Sequence, residues 1–219
     1  MNFILKYLAR KMLFMKKKKE YKFDLHIHTN YSDGICTPEE VVKYAKRIGL
    51  DGIAITDHDT VRGSKKAELL AEKAGLILVP GVEITTSFGD LLVLGIREKF
   101  DGLGVRLPRI IEIIKKIHKK GGVAVIAHPF VGSWPNGSLA DHVRKLDIDG
   151  IEIFNAMTND TFGIEPNVKA MELAKKLDMP GIAGSDAHFL ELIGNAFTVS
   201  KTPDIVSAIK KGEVKAGWL

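Results

Sequence analysis

Two histidines stand two residues apart in "YKFDLHIHTNYSDG" (residues 21–34), at the end of an apolar run, and Asp33 follows five residues later. Successive side chains of a strand alternate faces, so His26 and His28 project the same way from any strand that carries them. Further apolar runs end in the same kind of chemistry. "GIAIT" leads into Asp57, His58 and Asp59; "VPGVEIT" carries Glu83; "GVAVIAHP" ends at His128; "GIEIFN" holds Glu152 and Asn155; "GIAGSDAH" ends at Asp186 and His188. Taken singly, each has a plain explanation: Glu83 pairing with a Lys or Arg, "TDHDT" and Asp186 capping the segments that follow. Taken together they would bury many ionisable groups, which is unfavourable without a compensating cation. A shared metal centre removes that difficulty. Imidazole and carboxylate donors suit Zn, Mn or Fe, and carboxylates readily bridge neighbouring ions. Eight side-chain donors are too many for one tetrahedral zinc, so two or three divalent ions are expected.

The elements that must position these residues are legible in the apolar patterning. Strand-like runs cover 21–27, 52–56, 76–85, 91–96, 122–128, 150–155, 181–186 and 196–200, with helical patterns over 38–48, 63–74, 106–120, 138–147, 165–178 and 203–211. Thr37 before Pro38 reads as an N-cap and first helical residue, and Gly49, Gly75 and Gly121 fall just past helix ends. The strands are apolar on both faces, which predicts a parallel sheet covered by helices. No glycine-rich phosphate loop follows the first strand. The predicted fold is therefore α/β, a (β/α) barrel of about seven strands, whose C-terminal strand ends open on one face and bring the polar residues together. His118 and His142 fall on helices away from those ends and read as surface residues.

Composition narrows the class. The 219-residue chain is 45% hydrophobic and 27% charged, with no apolar run near the roughly 20 residues that span a bilayer. Its single cysteine, Cys36, forbids an internal disulfide and reads as a packing residue; a reducing, cytoplasmic setting is expected. The net charge of +5 is misleading. Seven of 32 Lys and Arg, and none of 27 Asp and Glu, lie in residues 1–19, leaving 25 basic against 27 acidic in the rest. The body at 20–219 has no electrostatic footprint for long duplex nucleic acid. The basic tail reads as a lead-in, with translation starting at Met12 or Met15; an amphipathic surface helix and a targeting segment are the alternatives.

The ordered motifs "DLHIHTNYSDG", "ITDHDT", "PGVEIT", "AHP" and "GSDAH" resemble the PHP family, named for polymerase and histidinol phosphatase, over residues 21 to about 200. The resemblance implies a distorted seven-stranded, TIM-like (β/α) barrel holding two or three metal ions, and metal-dependent phosphoester hydrolysis. Carried onto this sequence, it implies His26, His28, Asp33, His58, Glu83, His128, Asp186 and His188 as metal ligands, with Glu83 bridging. Some relatives carry another histidine in the strand after the glutamate, where this chain has Leu92. The sixth strand also contributes a ligand in some members; the candidates here are Glu152 and Asn155, and Asn155 is read as a substrate contact. With Leu92 and Asn155 at these positions, two ions are expected, and a third only where another donor replaces them.

The expected reaction is hydrolysis of a small phosphomonoester, nucleotide-like or histidinol-phosphate-like, by a metal-bridged hydroxide. His58, Asp59 or His188 would protonate the leaving group, and Arg62 and Ser185 would contact the phosphate. The loop 129–138, with Trp134, is a candidate lid. Two other functions share the pattern: a C–N hydrolase on the same barrel, and a non-catalytic PHP-like RNA-processing subunit that uses the basic tail. The partner is a small phosphorylated substrate. Metal identity and oligomeric state are not legible.

Overall fold

The structure is a computed structural model that describes residues 20–98, 100, 106–132, 134 and 137–219. The basic segment 1–19 lies outside the described residues. In chain order the elements are β1 (Tyr21–Asp24), α1 (Pro38–Arg47), β2 (Gly52–Ile55), α2 (Arg62–Ala74), β3 (Ile77–Thr86), β4 (Gly89–Leu94), α3 (Leu107–Lys119) and β5 (Val123–Ile126). There follow α4 (Leu139–His142), β6 (Gly150–Asn155), α5 (Ala156–Phe162), α6 (Glu165–Leu177), β7 (Gly181–Gly184), β8 (Ala196–Ser200), α7 (Ile205–Lys210) and β9 (Val214–Trp218). Thr37 caps α1 through a reciprocal pair with Glu40, and Gly75 ends α2 in the left-handed conformation.

Nine strands form one sheet, ordered β7-β6-β5-β4-β3-β2-β1-β8-β9, against the seven expected. β1, β2 and β3 are mutually parallel, as are β5, β6 and β7. β4 runs antiparallel to both β3 and β5, which corrects the all-parallel reading. The reason is chain length. Only Ser87 and Phe88 separate β3 from β4, enough for a hairpin and far short of a parallel crossover. The added β8 and β9 continue antiparallel beyond β1. Past the ends of β1 and β7, Ile27 bridges Ala187: His28 N–H donates to the Ala187 carbonyl at 2.9 Å and Asp186 N–H to the His26 carbonyl at 2.8 Å. This contact curls the sheet into a nearly closed barrel.

Both faces of the sheet are buried. Inside the barrel, Phe23, Leu25, Ala54, Val79, Leu92, Leu94, Val123, Val125 and Ile182 form one cluster, with Ile205, Ala208 and Ile209 of α7 packed against it. Outside, Ile53 and Ile55 pack with Val41, Val42 and Ala67 of α1 and α2, while Val82, Ile84, Leu91 and Val93 pack with the isoleucines of α3. Burying the larger of these side chains contributes roughly 1.5–3 kcal/mol each. The first strand is shorter than its apolar run. Phe23 and Leu25 pack inward and Ile27 outward, so the alternation slips by one between them. At the slip, Asp24 Oδ1 accepts the His26 N–H at 3.4 Å. His26 and His28 still share a face, held by the Ala187 contact rather than by a regular ladder.

Candidate metal centre

His26 and His28 leave the end of β1, Glu83 sits within β3 and Asp186 follows β7; all four are buried. The Nε2 atoms of His26 and His28 are 3.1 Å apart, and each is 3.1 Å from Glu83 Oε2. Asp186 Oδ1 lies 3.3 and 3.1 Å from the same two nitrogens. One donor atom from each of the four residues falls within 4.8 Å of the others. His128, after β5, brings its Nε2 to 3.1 Å from Glu83 Oε1 and 4.0 Å from Asp186 Oδ2. Glu83 therefore meets histidines with both of its carboxylate oxygens.

A more exposed group forms the rim. Asp33 Oδ1 is 3.3 Å from His28 Nδ1, while its Oδ2 is 3.1 Å from His188 Nε2 and 3.6 Å from His58 Nε2. His58 Nδ1 lies 3.0 Å from Thr85 Oγ1 and 3.5 Å from Glu83 Oε2. His188 Nδ1–H donates to the Asp186 carbonyl at 2.8 Å, which turns its Nε2 toward Asp33.

Behind both groups lies a layer that fixes orientation. Glu152 Oε1 accepts from His26 Nδ1 at 3.0 Å, leaving Nε2 to face the cluster; Glu152 Oε2 accepts from His128 N–H at 2.9 Å. Asn155 Nδ2 donates to Glu152 Oε2 at 3.0 Å and to Asp186 Oδ2 at 3.2 Å, and its Oδ1 caps α5 at Thr158 N–H. Ser185 Oγ donates to the His26 carbonyl at 3.2 Å, and its N–H to Asp24 Oδ1 at 3.0 Å. Asp57 is bound by Thr29 and Ser32 at 2.6–2.9 Å. Glycine is required at two approaches: a Cβ on Gly184 would come within 2.5 Å of His26 Cβ, and one on Gly63 within 1.9 Å of Asp57 Oδ2. Asp59, His128 and Asp186 all take positive φ, a conformation non-glycine residues adopt only when their surroundings impose it.

The electrostatics test whether these donors suit a cation. Burial favours neutral His26 and His28, yet the carboxylates of Asp186 and Glu83 outweigh it and hold both well above the ordinary histidine range. His128 is raised to about 9, burial again being overcome, chiefly by Glu83. Burial likewise opposes ionisation of Glu83 and Asp186, but the histidines hold both well below the usual carboxylate range. Asp33 is lowered by its bond to His28. Burial raises Asp24 to about 6; burial and the Glu83 carboxylate raise Asp90 to the same region. The centre thus demands positive charge. Protons meet that demand, and divalent cations fit the same donors: imidazole Nε2 atoms whose Nδ1 partners are already engaged, and carboxylate oxygens converging on one point.

The PHP domain profile matches residues 24–126 and the PHP-associated profile residues 165–214. An uncharacterized protein of Methanocaldococcus jannaschii, MJ1587, is 36% identical over 168 residues, which are 71% of this chain and 93% of that one. The chain belongs to the PHP family. A 5′-3′ exoribonuclease of Haemophilus influenzae is 33% identical over 104 residues, 48% of this chain, and the match takes in only 38% of that enzyme. In fold, the PHP chain is similar to a two-domain Bacteroides vulgatus protein containing a predicted PHP-like metal-dependent phosphoesterase. The TM-score is 0.71 at 21% identity, with 91% of this chain and 65% of the other covered.

Against the residues read from sequence, the PHP barrel brings all eight expected ligands together: His26, His28, Glu83 and Asp186 buried at the centre with half-buried His128, and Asp33, His58 and His188 at the rim. Two expected substrate contacts are corrected. Asn155 and Ser185 are fully buried and bonded internally, so they position Asp186 and the end of β1 instead. Leu92 packs in the barrel interior and offers no donor. Arg62 lies at the start of α2, its guanidinium 5.2 Å from the Tyr31 ring. Asp59 N–H donates to the Glu83 carbonyl at 2.8 Å. Trp134 Nε1–H donates to the Val131 carbonyl and its ring lies against Gly89 and Gly132, which anchors the loop. His118 is tied to Asp149 at 2.8 Å and His142 stands edge-on to Phe88; neither joins the site. Among the described residues, no helix is long and apolar enough to cross a membrane.

Proposed function

We propose that this protein is a metal-dependent phosphoesterase acting on a small, nucleotide-like phosphomonoester. One observation carries the reading: His26, His28, Glu83 and Asp186 converge within 4.8 Å, with His128 on the free oxygen of Glu83 and a rim of Asp33, His58 and His188. His26, His28, Asp186 and Glu83 would hold one divalent ion, and Glu83, His128 and rim residues a second. When bound, such ions activate water and neutralise the oxygens of a phosphoryl group. The chain's own residues do the rest. Glu152 and Asn155 keep His26, His128 and Asp186 aimed at the centre. His58 and His188, half-exposed, would give a proton to the leaving oxygen, with Asp59 next to His58 in sequence. Arg62 and Lys66 line an open groove of 440 Å³ together with Asn30 and Tyr31, a cationic surface with an aromatic face. Likeness to a 5′-3′ exoribonuclease supports the nucleotide-like substrate, and the slightly acidic body favours short substrates over long duplexes.

The test is metal analysis combined with turnover of p-nitrophenyl phosphate, nucleoside mono- and bisphosphates and sugar phosphates after Mn or Zn loading. The expected result is at least two ions per chain and metal-dependent phosphate release. Hydrolysis of amides alone, or a metal-free inactive protein that binds RNA through residues 1–19, overturns the proposal.

A further inference from the structure

Asp57 follows β2 and is fully buried, one residue before His58. Among the described residues, every bond its carboxylate makes comes from the loop after His28. Thr29 N–H donates to Oδ1 at 2.6 Å, the Thr29 hydroxyl meets both oxygens at 2.9 and 2.8 Å, and Ser32 Oγ donates to Oδ1 at 2.9 Å. Thr29 in turn organises that loop. Its carbonyl accepts the N–H groups of Ser32 at 3.0 Å and Gly34 at 3.1 Å, which flank Asp33 on either side. Its Oγ1 accepts the Tyr31 N–H at 3.3 Å. Asp33 links His28, His58 and His188, and the Tyr31 ring faces the Arg62 guanidinium.

The same carboxylate rests on the first turn of α2. A Cβ on Gly63 would fall 1.9 Å from Asp57 Oδ2 and 2.7 Å from Thr29 Oγ1. That turn contains no acidic residue, and Val61, which precedes it, makes no capping bond through its side chain. A helix N-terminus favours a nearby negative charge, and Asp57 supplies one. Burying a carboxylate is costly unless such groups meet it, so loop and helix are both drawn onto the same side chain.

We infer that Asp57 is the positioning residue that joins the proton-handling rim to the substrate groove: through Thr29 it sets Asp33 against His58 and His188, and Arg62 over Tyr31. The inference rests on the phosphoesterase reading, in which the rim serves the leaving group and the groove binds the substrate. Rim and groove then share one mount, separate from the Glu152 and Asn155 layer that braces the centre.

The experiment compares full-length wild type with Asp57→Asn, Thr29→Val and Thr29→Ser. Thr29→Val keeps the size of the side chain and the backbone bond and removes the hydroxyl; Thr29→Ser retains it. In the metal-loaded protein Asp57→Asn should lower kcat about 10–100-fold, the scale for groups that orient the ligands of a metal site. Adding Asp33→Asn should lower it little further, because both changes break one chain of contacts. KM for nucleotides should rise as it does in Arg62→Ala, with no further rise when the two are combined. Thr29→Val should show the same pattern more weakly, and Thr29→Ser should behave as wild type. In NMR spectra of the metal-stripped protein, the ring signals of His188 should move in Asp57→Asn and Thr29→Val toward their positions in Asp33→Asn, while those of His26 and His128 hold. Unmoved His188 signals in Thr29→Val, or losses in kcat that multiply in the double variant, overturn the inference. A wild type with no metal-dependent turnover overturns the phosphoesterase reading instead, and the His188 signals still decide whether Asp57 positions the rim.

Discussion

The centre and the rim of the site are built from the same residue types under opposite physical conditions. His26, His28, Glu83 and Asp186 have side chains 12% exposed or less, whereas those of Asp33, His58 and His188 are 52%, 32% and 25% exposed. The central residues leave strand ends and are braced by Glu152 and Asn155, so their geometry is set by the register of the sheet. The rim residues sit on loops, where Asp33 links His58 to His188. A buried carboxylate without a positive partner is strongly unfavourable, but an exposed one is screened by water. The centre therefore must hold cations or protons, and the rim is free to exchange them. On the proposed function, the centre would bind charge and the rim would move protons and substrate.

The sharpest way to break this division is Glu83→Gln. Replacing the carboxylate that lies 3.1 Å from each of His26, His28 and His128 should leave the fold intact by circular dichroism, cost at least one bound ion, and lower kcat/KM by about 10³-fold or more. Wild-type turnover in that variant would mean that the centre is not the reactive centre. Asp33→Asn should do less. It weakens a link among three histidines without removing a central donor, so a loss of about 10–100-fold is expected, the scale seen when groups that orient a metal site are removed. If Asp33→Asn matched Glu83→Gln in both ion content and turnover, centre and rim would be one functional unit.

How much of this could be read from the chain differs between the same two regions. The central residues stand out because each interrupts or ends an apolar run, and burying a charge there demands an explanation. His128 and Asp186 were legible for that reason. The bracing layer was not: Asn155 and Ser185 carry the same chemistry as substrate contacts, and only the third dimension shows Asn155 turned to Glu152 and Asp186, and Ser185 to Asp24 and His26. Asp90, close to Glu83 and His58, is not legible because strand direction decides which residue of β4 reaches the mouth. The hairpin was itself legible in principle, since two residues cannot carry a parallel crossover. α5 was hidden because "AMTNDTF" lacks an apolar stripe and is started by Asn155 capping from the site itself. β9 follows α7 after a short turn and carries "VKAGW", a short run in which Lys215, Ala216 and Gly217 have low strand propensity.

The charge demand of the centre yields a pH signature. In the metal-free protein His128 is raised from an ordinary value of 6.5 to about 9. A histidine raised on folding contributes stability that is fully present below its unfolded value and is lost as pH rises through its folded one. The chelated protein should therefore weaken between pH 6.5 and 9, by on the order of 3 kcal/mol from this residue. Saturating metal should flatten that slope, because the ion replaces the proton. Thermal midpoints with and without chelator across this range check it; a metal-free midpoint that rises with pH would contradict the reading.

The smallest expected effect lies outside both regions. Arg62 stacks on Tyr31 and lines the cationic groove with Lys66, but it contacts none of the central donors. Its guanidinium can recognise a phosphate or stack against a base without touching the reacting bond. Such binding acts equally on the ground state and the transition state, which raises KM and leaves kcat alone when it is removed. Arg62→Ala should therefore raise KM for nucleotides by about 3–10-fold, as expected for one exposed charged contact, with kcat and ion content unchanged. The same variant should barely alter KM for p-nitrophenyl phosphate, which carries no nucleoside to occupy the groove. A fall in kcat for both substrates would move Arg62 from the groove to the rim, and would extend the exposed, proton-handling region as far as the start of α2.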